Sequence, residues 1–204
     1  MKDDFNKYNY KKLLSNKKQY IIPRYQRPYS WKKKNVVMFV NDIFKQIKVG
    51  KKSIKTNDYF VGIMIVQGNI NSKNNRKIEI VDGQQRLTTA IMALSIISKR
   101  LLEIGEKIEA HNTFKYIIAK NKRGNEFKTL ISNTSQPYFY HLVQEMNGDY
   151  KLDNFSSEED KDIRIAYGHL ERLLSYKSLS KRFNAKENEL LVAIREQILK
   201  CYFF

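Results

Sequence analysis

The stretch IEIVDGQQRLTTAIMALSIISKRL, Ile78 to Leu101, constrains the fold more than any other part of the chain. It opens as a β-branched apolar run and continues with apolar residues at helical spacing. Leu87, Ala90, Ile91, Leu94 and Ile97 recur at steps of three and four, so they share one helix face and supply the core. A strand over Lys77–Val81 is therefore followed by a helix from Gln84 to about Ile104, stopped at Gly105. The corner between them is Asp82-Gly83-Gln84-Gln85-Arg86, four polar side chains and one glycine.

Capping accounts for half of that corner. Asp82 is a good N-cap, and Gln85 stands three residues later, where a capping-box amide belongs. Gly83 suits a tight turn. Arg86 is different. It falls in the first helical turn, at the positive end of the macrodipole, where an exposed cation costs roughly 0.3–1 kcal/mol. The core face does not need it. An anion at the helix N-terminus would account for it, with free backbone N–H groups and a guanidinium converging on one phosphate. Gln84 would add a donor or orient a water.

A second stretch repeats the logic. IIPRYQRPYSW, Ile21 to Trp31, places Arg24, Gln26 and Arg27 in a proline-stiffened loop with Tyr25, Tyr29 and Trp31 between and after them. Such aromatics can stack a base while the cations take phosphates; Trp31 reads better as an anchor to the core. Ser30 is expected to cap a helix from Trp31 to about Val49, with Lys32, Lys33 and Lys34 in its first turn as candidate nucleic-acid contacts. Tyr59 to Gly68 reads as a buried strand pairing antiparallel with the strand over Lys77–Val81 across a polar turn, Asn69 to Asn75. Gly62 within it marks a close approach by a ligand or another backbone.

The remaining elements are a short helix over Phe5–Leu14, a strand over Gln19–Ile22, a strand or helix over Thr113–Ala119, and a strand over Phe127–Ile131. A helix over Pro137–Met146 starts at Ser135, and Asn147–Phe155 is a loop. Ser156 with Glu159 forms a capping box for a helix reaching roughly Tyr176. A last helix covers Glu187–Lys200. The fold class is α+β: a compact unit over residues 1–105, then a mostly helical extension over 106–204. The aromatic end, Cys201-Tyr202-Phe203-Phe204, suits either a piece of a longer protein or an end that docks on a partner.

Charge narrows the partners. With 38 Lys and Arg against 21 Asp and Glu, the net charge is +17, which favours nucleic acid first and nucleotide phosphates second. Lysine is spread along the whole chain, so an A/T-rich genome is a competing source of that charge. One cysteine, Cys201, excludes a disulfide framework and a cysteine-rich metal site. His111, His141 and His169 lack metal-ligand spacing, and no metal ligands are assigned. No apolar run is long enough to span a bilayer, and the N-terminus lacks the core of a signal peptide, so a cytoplasmic location is expected. No P-loop is present.

Taken in order, IPRYQRPYSW, YFVGIMIV and IVDGQQRLTT resemble the ParB-like N-terminal domain of GmrSD-type, modification-dependent restriction enzymes. The Asp-Gly-Gln-Gln-Arg signature is the most specific piece. The likeness is strong from about Tyr20 to Leu101 and continues weakly through SQPYFYHLV and IRIAYGHLERLL. It implies a ParB/sulfiredoxin-like fold, nucleoside triphosphate binding and hydrolysis with Mg²⁺, and anti-phage defence against modified DNA. Cutting would belong to a separate HNH-type nuclease domain or subunit, and no His-Asn-His signature occurs in this chain. A homo-oligomer is compatible with the resemblance. Carried over residue by residue, Asp82, Gln84 and Arg86 would serve catalysis. Arg24, Gln26, Arg27, Gly62, Gly83, Gln85 and Arg86 would hold the nucleotide. Two rival readings stand beside it: a non-catalytic ParB-like clamp or switch on DNA, and a metal-dependent nuclease using Asp82 with Glu79.

Overall fold

The computed structural model describes residues 6–72, 76–132, 137–146 and 155–204. Its first half runs β1 (Tyr8–Asn9), α1 (Tyr10–Ser15), β2 (Gln19–Ile22), α2 (Lys33–Lys45), β3 (Ile47–Val49), β4 (Ile54–Thr56), β5 (Ile65–Gln67), β6 (Lys77–Asp82) and α3 (Gln84–Glu103). Then follow α4 (Lys107–Phe114), β7 (Ile118–Lys120), β8 (Glu126–Lys128), β9 (Leu130–Ser132), α5 (Tyr138–Val143), α6 (Glu158–Leu173), α7 (Tyr176–Leu179), α8 (Glu187–Lys200) and β10 (Tyr202–Phe203). The mixture of helix and strand fits the expected α+β class.

The main sheet has the order β5-β6-β2-β9. β2 runs parallel to both β6 and β9, and β5 pairs antiparallel with β6. Tyr20, Ile78, Ile80 and Leu130 are fully buried on the sheet, while Glu79 between two of them is not, as the two-residue period of a strand requires. Helix α3 is buried on nearly every side from Gln84 to Ser98, so its core is wider than the single face read from the spacing. It packs on α4, α5, α6 and α8. The polar side chains this buries are mostly satisfied: Ser95 donates to the Val143 carbonyl at 2.6 Å and Ser98 to that of Ala110 at 2.8 Å.

Long-range contacts join the later residues to the earlier ones. β9 adds to the sheet edge beside β2, and the hydrophobic core continues on both sides of Gly105, whose positive φ of 85° ends α3. The aromatic end docks on the chain itself. β10 pairs antiparallel with β1, and Tyr202 exchanges hydrogen bonds with the 59–61 backbone: its N–H donates to Tyr59 and its carbonyl accepts from Val61, each at 2.9 Å. Phe203 lies 5.5 Å from the Tyr10 ring, and Phe60 contacts both Tyr202 and Phe204. Burial beside this strand pushes the Cys201 thiol up to about 12.

Several boundaries differ from expectation, each for a physical reason. The helix expected to Val49 stops at Lys45, because Ile47–Val49 turns into a hairpin with β4. The helix expected over Phe5–Leu14 starts at Tyr10, after the pairing of β1 with β10. Phe127–Ile131 is two strands in two sheets, split at Thr129, whose N–H donates to the Ile117 carbonyl. Between Phe60 and β5 the expected strand is irregular, with Gly62 at φ 117°. The cap of α6 is Ser157, which accepts from the Asp160 N–H, while Ser156 bonds the Asp160 carboxylate. Glu159 is thereby released from capping and accepts from the Tyr29 N–H at 2.7 Å, tying α6 to the 23–30 loop. The Ser135 cap, the loop over 147–154 and the end of the Asn69–Asn75 turn lie outside the described residues. The docked aromatic end gives a direct check: Phe203→Ala should cost about 3–5 kcal/mol in urea denaturation. A loss below about 1 kcal/mol would mean that the end is not part of the core.

Candidate functional site

The corner at Asp82 is built differently from a capped helix. Gly83, at φ 94° and ψ 0°, is itself the N-cap of α3, and no side chain bonds there. Asp82 is one residue too early to cap, because the left-handed turn falls after it. Its side chain is 60% exposed, and its nearest charged partner is Arg86 at 4.0 Å. Gln85 also leaves its expected capping role. It is buried, its Oε1 accepts from the Ser30 N–H at 2.9 Å, and its Nε2 donates to the Pro28 carbonyl at 3.0 Å. Ser30 is consequently no cap either. Helix α2 starts at Lys33, where the Lys32 N–H donates to Asn35 Oδ1 at 3.2 Å.

Arg86 has structural work that spacing does not reveal. Its two terminal nitrogens donate to the carbonyls of Val61 and Ile63, at 2.7 and 2.5 Å. A Cβ on Gly62 would overlap the guanidinium, so the glycine is required both by its left-handed backbone and by the close approach of Arg86. The close approach expected at Gly62 is real, and the visitor is a side chain of this chain. The expectation that packing gives Arg86 no role is overturned. The Arg86 side chain remains about a quarter exposed, and two bonds leave most of its five N–H donors for other partners.

The 23–30 loop is pinned over the same corner. The Gln26 N–H donates to the Pro23 carbonyl at 3.1 Å, closing a turn, and Gln84 Nε2 reaches Gln26 Oε1 at 3.4 Å. Arg24 and Arg27 are exposed and make no hydrogen bond or ion pair among the described residues. Of the aromatics, Tyr29 is buried against Thr89 at 2.9 Å, and burial pushes its hydroxyl pKa up. Trp31 packs on Phe39. Only Tyr25 stays available for stacking, 69% exposed with its hydroxyl 3.4 Å from Glu79. Lys32 is committed to an ion pair with Asp162, whereas Lys33 and Lys34 are exposed.

Sequence reasoning missed one polar residue here. Thr88, one turn into α3, is buried and its hydroxyl has no hydrogen-bond partner among the described residues. Among the described residues, no group of three or more His, Cys, Asp or Glu side chains is placed to hold a metal ion. Nor is any helix there long and apolar enough to cross a membrane.

The Arg86 latch makes a prediction opposite in sign to that of an idle cation. Arg86→Ala should lose about 1.5–3 kcal/mol of stability without any ligand, since two carbonyls lose a charged donor. Gly62→Ala should be destabilising in the wild type and markedly less so in the Arg86→Ala background. A double-mutant cycle by urea unfolding should give a coupling of about 1 kcal/mol or more. Strict additivity would mean that the two residues do not meet.

With the geometry in place, comparison with known proteins adds one family. No curated protein matches the chain. A family model described as the GmrSD restriction endonuclease, N-terminal domain, matches residues 10–203. That span contains the corner, the 23–30 loop, the Gly62 segment and every helix of the described structure. The chain therefore belongs to the GmrSD restriction endonuclease N-terminal domain family.

Proposed function

We propose that this chain is the nucleotide-binding recognition part of a restriction system, with a ParB/sulfiredoxin-like fold and a helical extension. It binds a nucleoside triphosphate at the Asp82–Arg86 corner and grips DNA, in defence against modified phage DNA in the cytoplasm. An HNH-type nuclease domain or subunit does the cutting. One observation carries this reading: Arg24 and Arg27, exposed and without a hydrogen bond or ion pair among the described residues, stand on a loop that Gln85 and Gln84 pin to the first turn of α3. Two such cations on a loop held against a helix start, whose first N–H groups have no intrahelical acceptor, suit a phosphate.

The division of labour follows from the contacts. Arg24 and Arg27 take phosphate oxygens. Arg86 holds the Val61–Ile63 backbone and presents its remaining donors. Tyr25 offers an exposed ring to a base. Asp82 is the one exposed carboxylate of the DGQQR motif and serves to orient a water or to meet Mg²⁺. Mg²⁺ suits such a site, because it is commonly held by one or two carboxylates together with substrate phosphates, whose charge it neutralises. Gln84 lies inside the corner, where it can position a water. A nuclease built on Asp82 and Glu79 is disfavoured: three residues apart on β6 they face opposite sides, and Glu79 sits beside Tyr25.

The test uses the loop, because Arg86 variants disturb the fold. Calorimetric titration of Mg²⁺-nucleoside triphosphates into the Arg24→Ala/Arg27→Ala variant should give at least ten-fold weaker binding with an unchanged melting temperature. Asp82→Asn should bind nucleotide but lose hydrolysis. Equal affinity of wild type and the double variant would remove the site, and tight binding without any turnover in the wild type would favour the non-catalytic clamp. The chain alone should leave plasmid DNA uncut with Mg²⁺ or Mn²⁺, and cutting abolished by Asp82→Ala would contradict the proposed division of labour.

A further inference from the structure

The other end of the same sheet carries a second basic site. Strands β2 and β6 are parallel, so their first residues, Gln19 and Lys77, lie side by side. Along β6 this end is about 17 Å from Asp82, at roughly 3.3 Å per residue. There a cleft of about 610 Å³ opens between the turn after α1, residues 70–72 with Arg76 and Lys77, and the tip of the β7–β8 hairpin. Lys17, Lys18, Arg76, Lys77 and Lys122 line it, with no carboxylate among the described lining residues. That is about twice the density of basic residues in the chain as a whole, so general lysine enrichment does not account for it.

The cleft is shaped as well as charged. Its apolar surface includes Phe127, which is only half-buried. Lys18 is 7% exposed and donates to the Ser72 carbonyl, which ties the turn after α1 to the segment before β6. The tip that carries Lys122 is fixed: Asn121 Oδ1 accepts from the Arg123 N–H at 2.8 Å and the Asn125 N–H at 3.0 Å, and Gly124 takes the left-handed turn at φ 83°. The cations come from three separate chain segments held in register, which suits several linked phosphates better than one ion.

We infer that this cleft seats a DNA strand, with successive phosphates on Lys17, Arg76 and Lys122 and a base against Phe127. The inference rests on the reading that DNA is the polyanionic partner, but it does not use the nucleotide corner. A free nucleotide carries similar chemistry, so the experiment has to separate the two.

The experiment measures anisotropy of labelled single-stranded and duplex DNA against salt, using the full chain, with calorimetric nucleotide titration alongside. Arg76→Glu/Lys122→Glu should weaken DNA binding at least ten-fold, lower the salt slope by about two, and leave nucleotide affinity unchanged. Lys51→Glu/Lys52→Glu makes the same charge change on an exposed loop elsewhere and should have little effect. Phe127→Leu should weaken single-stranded DNA several-fold with the salt slope intact. If the glutamate variant melts early, Arg76→Gln/Lys122→Gln replaces it. Equal losses from the cleft and control variants, absence of DNA binding by wild type at low salt, or loss of nucleotide affinity with DNA binding retained would each overturn the inference. Failure of nucleotide binding with the DNA results intact would instead count against the corner and leave the cleft standing.

Discussion

The two hydrogen bonds from Arg86 to the carbonyls of Val61 and Ile63 tie the first turn of α3 to a segment that the C-terminal strand holds as well. The 59–64 segment has no regular strand pairing of its own. Its N–H groups at Val61 and Met64 donate to the carbonyls of Tyr202 and Phe204, and its carbonyls at Val61 and Ile63 accept from Arg86. The first turn of α3 and the C-terminal strand thus hold the segment between them. Backbone groups left unpaired there would each cost on the order of a hydrogen bond or more. The positive φ of Gly62 and the space vacated by its missing Cβ make the arrangement sterically possible.

From that latch the corner acquires its character. Arg86 is committed to the fold while keeping part of its donors exposed, and Arg24 and Arg27 add two guanidinium groups that make no hydrogen bond or ion pair among the described residues. Gln85 supplies the second tie. Its amide bonds the backbone of Pro28 and Ser30, and Glu159 of α6 bonds that of Tyr29. Three consecutive loop residues are thereby fixed by side chains from two helices. A loop that carries two exposed arginines on such a base is preorganised, which lowers the entropic cost of binding an anion. The same sheet places a second concentration of cations at its opposite end, so the excess positive charge is not evenly spread.

Much of this was legible in the sequence, for reasons that can be stated. Helix α8 runs over the expected Glu187–Lys200, and α3 falls within a residue of expectation, because long apolar periodicity fixes a helix locally. The pairing of β5 with β6 followed from two β-rich runs across a turn. The pairing of β1 with β10 did not, since it joins residues almost a chain length apart and each strand is two residues long. At the corner, residue types gave the right place and the wrong contacts. Asp82 and Gln85 match a capping box in spacing, yet the left-handed Gly83 shifts the cap by one and frees both. Arg86 had no visible partner because its partners are backbone carbonyls, which no side-chain pattern announces. Gly62 was the available signal: a glycine inside an apolar, β-rich run implied something close by.

In the function proposed here, the phosphates of a nucleotide rest on the first turn of α3 under the 23–30 loop. A crystal structure with a non-hydrolysable nucleoside triphosphate and Mg²⁺ would decide this. Phosphate density is expected at the N–H groups following Gly83, contacted by Arg24 and Arg27, with Arg86 still bonded to Val61 and Ile63. Nucleotide bound only in the basic cleft beside Arg76 and Lys122, or bound at the corner with Arg24 and Arg27 turned away from the phosphates, would contradict it.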